Sequence, residues 1–158
     1  MKKKIKNGVS FLRSFLALLV IAALVFLCDQ LTKAIAIEFL KPAGSIAILP
    51  NFFHLSFVEN SGIAFGLFRN QPGFLTWCIS ASVLFLLIGA WLFRKQSFAK
   101  CLAYGFVLGG AFGNWWDRIR FNHVIDFLDF RIWPVFNFAD SFITIGALLF
   151  VWFALRGN

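Results

Sequence analysis

Seven carboxylates serve a chain of 158 residues, and four of them, Asp117, Asp126, Asp129 and Asp140, fall within the stretch Gly109–Asp140. That stretch also holds three arginines and three asparagines, and strongly apolar runs flank it. Asp126 and Asp140 are 14 residues apart, with enough chain between them to fold back and set the two side chains together. Neighbouring carboxylates resist double ionisation and tend to share one proton. Such a pair supplies a base to activate water and an acid for the leaving group. Amide hydrolysis needs both when neither a metal nor a nucleophilic serine is available.

Other hydrolytic chemistries are poorly served. The G-x-S at Gly8-Val9-Ser10 is followed by Phe11 and lies in a basic segment, unlike an intramembrane serine-protease site, and no G-x-G-D occurs. His54 and His123 lack a third ligand at metal spacing, so neither a metal nor another cofactor is expected, and both histidines are assigned plain surface roles. Cys28, Cys78 and Cys101 form no C-x-x-C and sit in or beside apolar runs. They are read as packing residues, not as a disulfide framework or a redox pair.

The elements that must position these groups belong to a membrane. The chain is 60% hydrophobic and 14% charged, against about a quarter charged in soluble domains. A formal charge of +8 invites a nucleic-acid partner, but little soluble chain remains to build a basic face, so no nucleic acid is expected. Met1–Ser14 is basic and precedes the apolar run Phe15–Cys28, which resembles a signal peptide. No A-x-A site follows the apolar run directly, since Ala34-Ile35-Ala36 lies beyond Asp29 and Lys33, and Leu27 is too large for a lipobox ending at Cys28, so a retained first helix is expected. Pro72–Phe93 gives 22 residues without a charge, and Cys101–Trp116 and Phe138–Leu155 supply two further runs. A span needs roughly 20 residues. The expected fold is an all-α membrane protein, one domain over 1–158, with four transmembrane helices near 14–35, 72–93, 101–117 and 138–156.

With the N-terminus inside, the inner segments carry nine basic residues and no acid, while the outer ones carry six basic and all seven acidic residues. That bias places both termini on the cytoplasmic side. Three of the four helices then run short of apolar residues at their outer ends, which brings Asp29, Asp117 and Asp140 to the outer surface. Ionisable groups at that depth are costly and usually functional. The outer loops are 38–71 and 118–137. In the first, Phe53, Leu55 and Phe57 alternate with His54, Ser56 and Val58, a strand pattern. Asn60-Ser61-Gly62 reads as a turn and Ile63–Phe68 as a returning strand, so a small β-rich loop is expected on the membrane surface.

Gly105, Gly109 and Gly113 recur at four-residue steps, a face suited to close helix contact. Gly110, Asn114 and Asp117 share a neighbouring face, and Asn137, Asp140 and Thr144 share one on the fourth helix. From these residues alone, a hydrolase, a small ion or proton transporter and a helix-packing scaffold all remain open. The clustering of the acids at one face, with no path across, favours the first.

Five blocks in order carry a family resemblance: Asp29-Gln30-Leu31-Thr32-Lys33; Asn60-Ser61-Gly62-Ile63-Ala64-Phe65-Gly66; Gly109–Arg118; Val124-Ile125-Asp126-Phe127; and Phe136-Asn137-Phe138-Ala139-Asp140. In these the chain resembles the lipoprotein signal peptidases (signal peptidase II), aspartic proteases of the bacterial inner membrane, over essentially its whole length. The resemblance implies cleavage of a prolipoprotein signal peptide just before a diacylglyceryl-modified cysteine, near the outer face of the cytoplasmic membrane. Asp126 and Asp140 match the catalytic dyad. Asn60, Gly62, Asn114, Arg118 and Asn137 match supporting positions. Asp29 and Lys33, one helical turn apart, are placed to pair, either as a structural ion pair or toward substrate. Asp117 and Arg118 are expected to orient the outer helix ends, and Asp129 and Arg131 to be ordinary interfacial charges. The implied partners are the lipid-modified prolipoprotein and membrane phospholipid, with the peptidase acting as a monomer.

The orientation has a direct check. A reporter enzyme fused after Gly44 is expected to read outside and one after Gln96 inside; the opposite pattern would invert the topology.

Overall fold

A computed structural model describes residues 2–62, 72–93 and 96–156. Four long helices dominate it: α1 (Lys2–Ile35), α3 (Pro72–Phe93), α4 (Phe98–Phe121) and α5 (Phe138–Leu155). Among the described residues, three helices are long and apolar enough to cross a membrane, at Leu12–Ala43, Gly73–Phe93 and Phe138–Leu155. Their outward faces carry exposed large apolar side chains such as Leu24, Leu31, Phe85, Trp91 and Leu148. Cys28 and Cys78 are exposed on such faces, whereas Cys101 is buried in a core with Leu18, Ala22, Tyr104 and Leu108.

The first helical rod runs past its expected end. After Ile35 it widens into a π turn, Ala36–Leu40, and closes with a last turn, α2 (Lys41–Ala43). The wider turn buries Ala36 and Leu40 against Ile125 and Phe127, beneath a small sheet. Gly44, at φ 72°, then stops the helix in a backbone conformation that favours glycine.

The sheet is antiparallel, in the order β1 (Ser45–Leu49), β2 (Phe53–Asn60), β3 (Val124–Asp129). The strand expected over Phe53–Val58 is β2. Its partners differ from the expectation: β1 precedes it, and β3 comes from the segment between α4 and α5. The sheet is therefore shared between both intervening segments instead of belonging to one loop. The strand expected at Ile63–Phe68 lies outside the described residues.

Helix α4 is the axis of the bundle. A Cβ on Gly105 or Gly109 would strike the α1 backbone, 2.9 Å from Leu18 O and 2.5 Å from Ala22 O. A Cβ on Gly113 would meet the Asp29 carboxylate, and one on Gly110 would meet Ala139 O of α5 at 2.5 Å. The glycine face thus lies on α1 as expected, while Gly110 receives α5. Polar contacts join helix α3 to α4, among them Tyr104 Oη donating to Leu86 O at 2.8 Å and Trp115 Nε1 to Ser80 Oγ at 2.8 Å.

Gly109→Val is expected to lower the thermal midpoint in detergent by several degrees. Overpacking against backbone costs about 1–3 kcal/mol, enough to outweigh any helix-propensity gain. Gly73→Ala, with nothing within 4 Å of the added methyl, should leave the midpoint unchanged. Equal behaviour of the two variants would contradict the packing described.

Candidate active site

The start of α5 sets the position of Asp140. Asn137 is its N-cap: the side chain accepts from Asp140 N at 2.9 Å, and Asp140 Oδ2 accepts from Asn137 N at 3.3 Å. This reciprocal capping box satisfies two N–H groups that a helix start leaves free. A third, Ala139 N, donates at 3.0 Å to Asp29 Oδ1 of α1.

Strand β3 carries Asp126, and β2 brings Asn60 to it. Val58 pairs with Asp126 in the register, so Asn60, two residues on, lies on the same face of the sheet. Asn60 Nδ2 donates to Asp126 Oδ2 at 2.8 Å, and Asn137 Nδ2 to Asp126 Oδ1 at 2.7 Å. Asn114 Nδ2 donates to Asp140 Oδ1 at 2.8 Å, while Asn114 Oδ1 accepts from Asn137 Nδ2 at 3.0 Å. The two carboxylates are thus connected through a pair of amides. Arg118 reaches from α4 to Gly62 O at 3.0 Å, and Gly62 N closes a turn onto Asn60 Oδ1 at 3.1 Å.

These groups border a cavity of about 530 Å³. Asn60, Gly62, Asn114, Arg118, Asp126 and Asp140 supply its polar lining, and Ile79, Val83, Ala111, Trp133, Pro134 and Ile143 are among its apolar lining residues. Asp126 is 2% exposed. Burial, and then the negative charge of Asp140, push its carboxyl up to about 7, against the opposing pull of the Asn60 and Asn137 hydrogen bonds. One carboxyl that keeps its proton near neutrality beside a second carboxylate fits general acid and base work.

The remaining expected site residues, Asn137, Asp29 and Lys33, sit behind this lining. Lys33 Nζ lies 2.8 Å from Asp29 Oδ2 and 2.8 Å from Asp117 Oδ2, with all three side chains at most 2% exposed. Asp29 and Lys33 pair across one helical turn, and neither lines the cavity.

A family profile described as Signal peptidase (SPase) II matches residues 21–156. The chain belongs to the signal peptidase II family. It is 42% identical to a lipoprotein signal peptidase of Halothermothrix orenii over 132 residues, which are 84% of this chain and 90% of that one. To the lipoprotein signal peptidase of Pelotomaculum thermopropionicum it is 42% identical, over 89% of this chain and 93% of the other. Two bacterial membrane enzyme structures solved by the in meso method share the fold. The 2.3 Å structure gives a TM-score of 0.76 at 28% identity, covering 88% of this chain and 87% of its own. The 1.9 Å structure gives 0.75 at 28%, covering 89% and 94%. Membership makes the chain a peptidase, and its apolar helices make it a multi-pass membrane protein.

Set beside this signal peptidase II frame, some expectations change. Asp129 is no ordinary interfacial charge: it is buried and accepts from Ser56 Oγ at 2.8 Å and from Arg131 N at 2.9 Å. Arg131 also bonds His54 Nδ1 at 2.7 Å. Thr144 turns its hydroxyl back to Asp140 O on its own helix and does not extend a polar stripe. Gln30 was missed as a site-supporting residue, and Asp117 does more than orient a helix end. Gln30 Nε2 donates to Asp117 Oδ1 at 2.9 Å, and Asp117 Oδ2 accepts from Ile125 N at 3.2 Å, beside Asp126 in the chain. The signal for both was spacing, since Gln30 adjoins Asp29 and Asp117 lies one turn beyond Asn114.

Asp29→Ala removes the acceptor for Lys33 Nζ, Ala139 N and Gln30 Nε2 from a dry site and is expected to cost about 2–4 kcal/mol in detergent unfolding. Lys41→Ala breaks an ion pair that is 58% and 44% exposed and should cost under about 1 kcal/mol. Comparable losses would show that the inner cluster carries no special weight.

Proposed function

We propose that the chain removes signal peptides from prolipoproteins, cutting just before a diacylglyceryl-modified cysteine, with Asp126 and Asp140 as its catalytic pair. The observation that carries this reading is the meeting of these two carboxylates in the lining of one cavity, linked by Asn114 and Asn137. Family membership and relatives named lipoprotein signal peptidase supply the substrate class.

In the resting enzyme the pair holds one proton, which burial favours on Asp126. Asp140 takes a proton from a water molecule as that water attacks the scissile carbonyl. Asp126 donates a hydrogen bond to the oxyanion. The proton taken from water passes to the leaving nitrogen as the C–N bond breaks and the oxyanion collapses, so one water is consumed and a carboxylic acid and an amine are released. The pair titrates as a unit, so its pH limits belong to both groups.

The site lies near the outer face of the bacterial cytoplasmic membrane, in a bundle of four spans with both termini inside. Helix α4 is the fourth span despite its polar residues. Its 24 residues reach about 36 Å at 1.5 Å per residue, beyond the ~30 Å core. Enclosed by α1, α3 and α5, it has little need of an apolar surface of its own. Acyl chains remain in the leaflet while the peptide bond meets the cavity at the interface. No second chain is required.

Purified protein incubated with a diacylglyceryl-modified prolipoprotein should release the signal peptide. Asp126→Asn and Asp140→Asn should each lower kcat at least about a hundredfold, in line with the loss of general acid–base catalysis; full activity in either would remove the dyad. Asp126 must be protonated, and its carboxyl is raised to about 7. The rate should therefore hold below neutrality until the pair takes up a second proton, and fall as pH rises through about 7. An alkaline-activated profile would rule out the singly protonated pair as the active form.

A further inference from the structure

Lys33 touches the reaction centre from behind. It does not border the cavity and is 2% exposed, yet its ammonium meets an acceptor for each of its three N–H bonds. These are Asp29 Oδ2 at 2.8 Å, Asp117 Oδ2 at 2.8 Å and Asn114 Oδ1 at 3.0 Å. An ammonium donates three times and accepts nothing. Asn114 can therefore present only its carbonyl oxygen to Lys33, which leaves its Nδ2 for Asp140 Oδ1 at 2.8 Å.

Asn137 cannot hold that orientation alone. Its Oδ1 is taken by Asp140 N at 2.9 Å, so its Nδ2 must supply the rest. That nitrogen has two hydrogens for three acceptors: Asp126 Oδ1 at 2.7 Å, Asn114 Oδ1 at 3.0 Å and Ile125 O at 3.3 Å. Lys33 supplies the Asn114 carbonyl with a donor of its own.

We propose that Lys33 is a positioning residue for hydrolysis: its ammonium, out of reach of substrate, fixes the sense of the Asn114 amide so that an N–H faces Asp140. The proposal rests on the reading of Asp126 and Asp140 as the catalytic pair. Without the ammonium, the carboxylates of Asp29 and Asp117 lose their one charged donor, keep only neutral N–H partners, and attract the Asn114 N–H. The amide then turns over, its carbonyl oxygen opposes Asp140, and the ionised base is disfavoured. The charged groups that surround Lys33 are Asp29 on α1 and Asp117 on α4 at contact. Beyond Asn114 lie Arg118 on α4, Asp126 on β3 and Asp140 on α5.

The test uses the full chain in detergent with a diacylglyceryl-modified prolipoprotein. Lys33→Met should lower kcat tenfold or more, leave KM within twofold, and move the acid limb of the pH–rate profile to higher pH. Lys33→Met combined with Asp29→Asn restores the cluster's original net charge of one negative. This double variant should regain thermal stability relative to Lys33→Met while kcat stays low. Recovery of kcat together with stability, or full kcat in Lys33→Met, overturns the positioning role. Asn114→Ala should reproduce the kcat loss, and adding Lys33→Met to it should cause little further loss, because both act through one hydrogen bond. Losses that multiply overturn the proposal. Full activity of Asp126→Asn or Asp140→Asn overturns the catalytic pair and this inference with it. Loss there with normal Lys33→Met kinetics removes only the positioning role.

Discussion

The polar site depends on how closely α1 and α5 approach the backbone of α4. Gly109 and Gly110 let the carbonyl oxygens of Ala22 and Ala139 occupy space that a methyl group would need. Only at that separation can Lys33 of α1 reach Asn114 of α4, and Asn114 reach Asp140 of α5. A hydrogen bond weakens steeply once donor and acceptor part by a few tenths of an ångström. Widening either helix contact by the radius of a methyl group would break the chain of contacts at its centre. The packing of apolar helices and the geometry of the polar groups are therefore one constraint.

The second requirement is electrical. Asp29, Lys33, Asp117, Arg118, Asp126 and Asn137 are all buried, and burying unpaired charge is expensive. Among the described residues, no buried side-chain nitrogen or oxygen lacks a partner. Pairing of this kind stabilises little beyond what desolvation takes away, but it selects one arrangement of amides and carboxylates over its mirror alternatives. The elevated proton affinity of Asp126 follows from the same dryness, with Asp140 adding its repulsion.

The helices were legible because long uncharged runs such as Pro72–Phe93 admit few other readings. The contact face of α4 was legible because glycine at every fourth position has an immediate steric meaning. The candidate residues stood out as polar groups between apolar runs and as blocks shared with a family. Long-range pairing was not legible. Nothing local joins β3 to β2, since their residues are more than 60 positions apart and the hydrophobic pattern of β3 is interrupted by aspartates. The burial of Asp129 was hidden for the same reason, because its partner Ser56 comes from the distant strand. Gln30 and Thr144 show the limit of helical periodicity. A shared face says where a side chain starts, and hydrogen bonding decides where it ends, across to Asp117 in one case and back to its own helix in the other.

Asp140 closes the capping box of α5 with the same carboxylate that faces the cavity. A proton taken up by this group weakens its hold on Asn137 N, so each turnover would briefly loosen the first turn of the helix. Asn137 is in turn the amide that holds Asp126. On the catalytic role proposed for Asp140, chemistry and helix initiation draw on a single side chain, and any sequence drift that re-caps α5 differently would also re-tune the pair. Homologous chains should consequently find it easier to vary the length of α5 at its far end than to move its beginning by one residue.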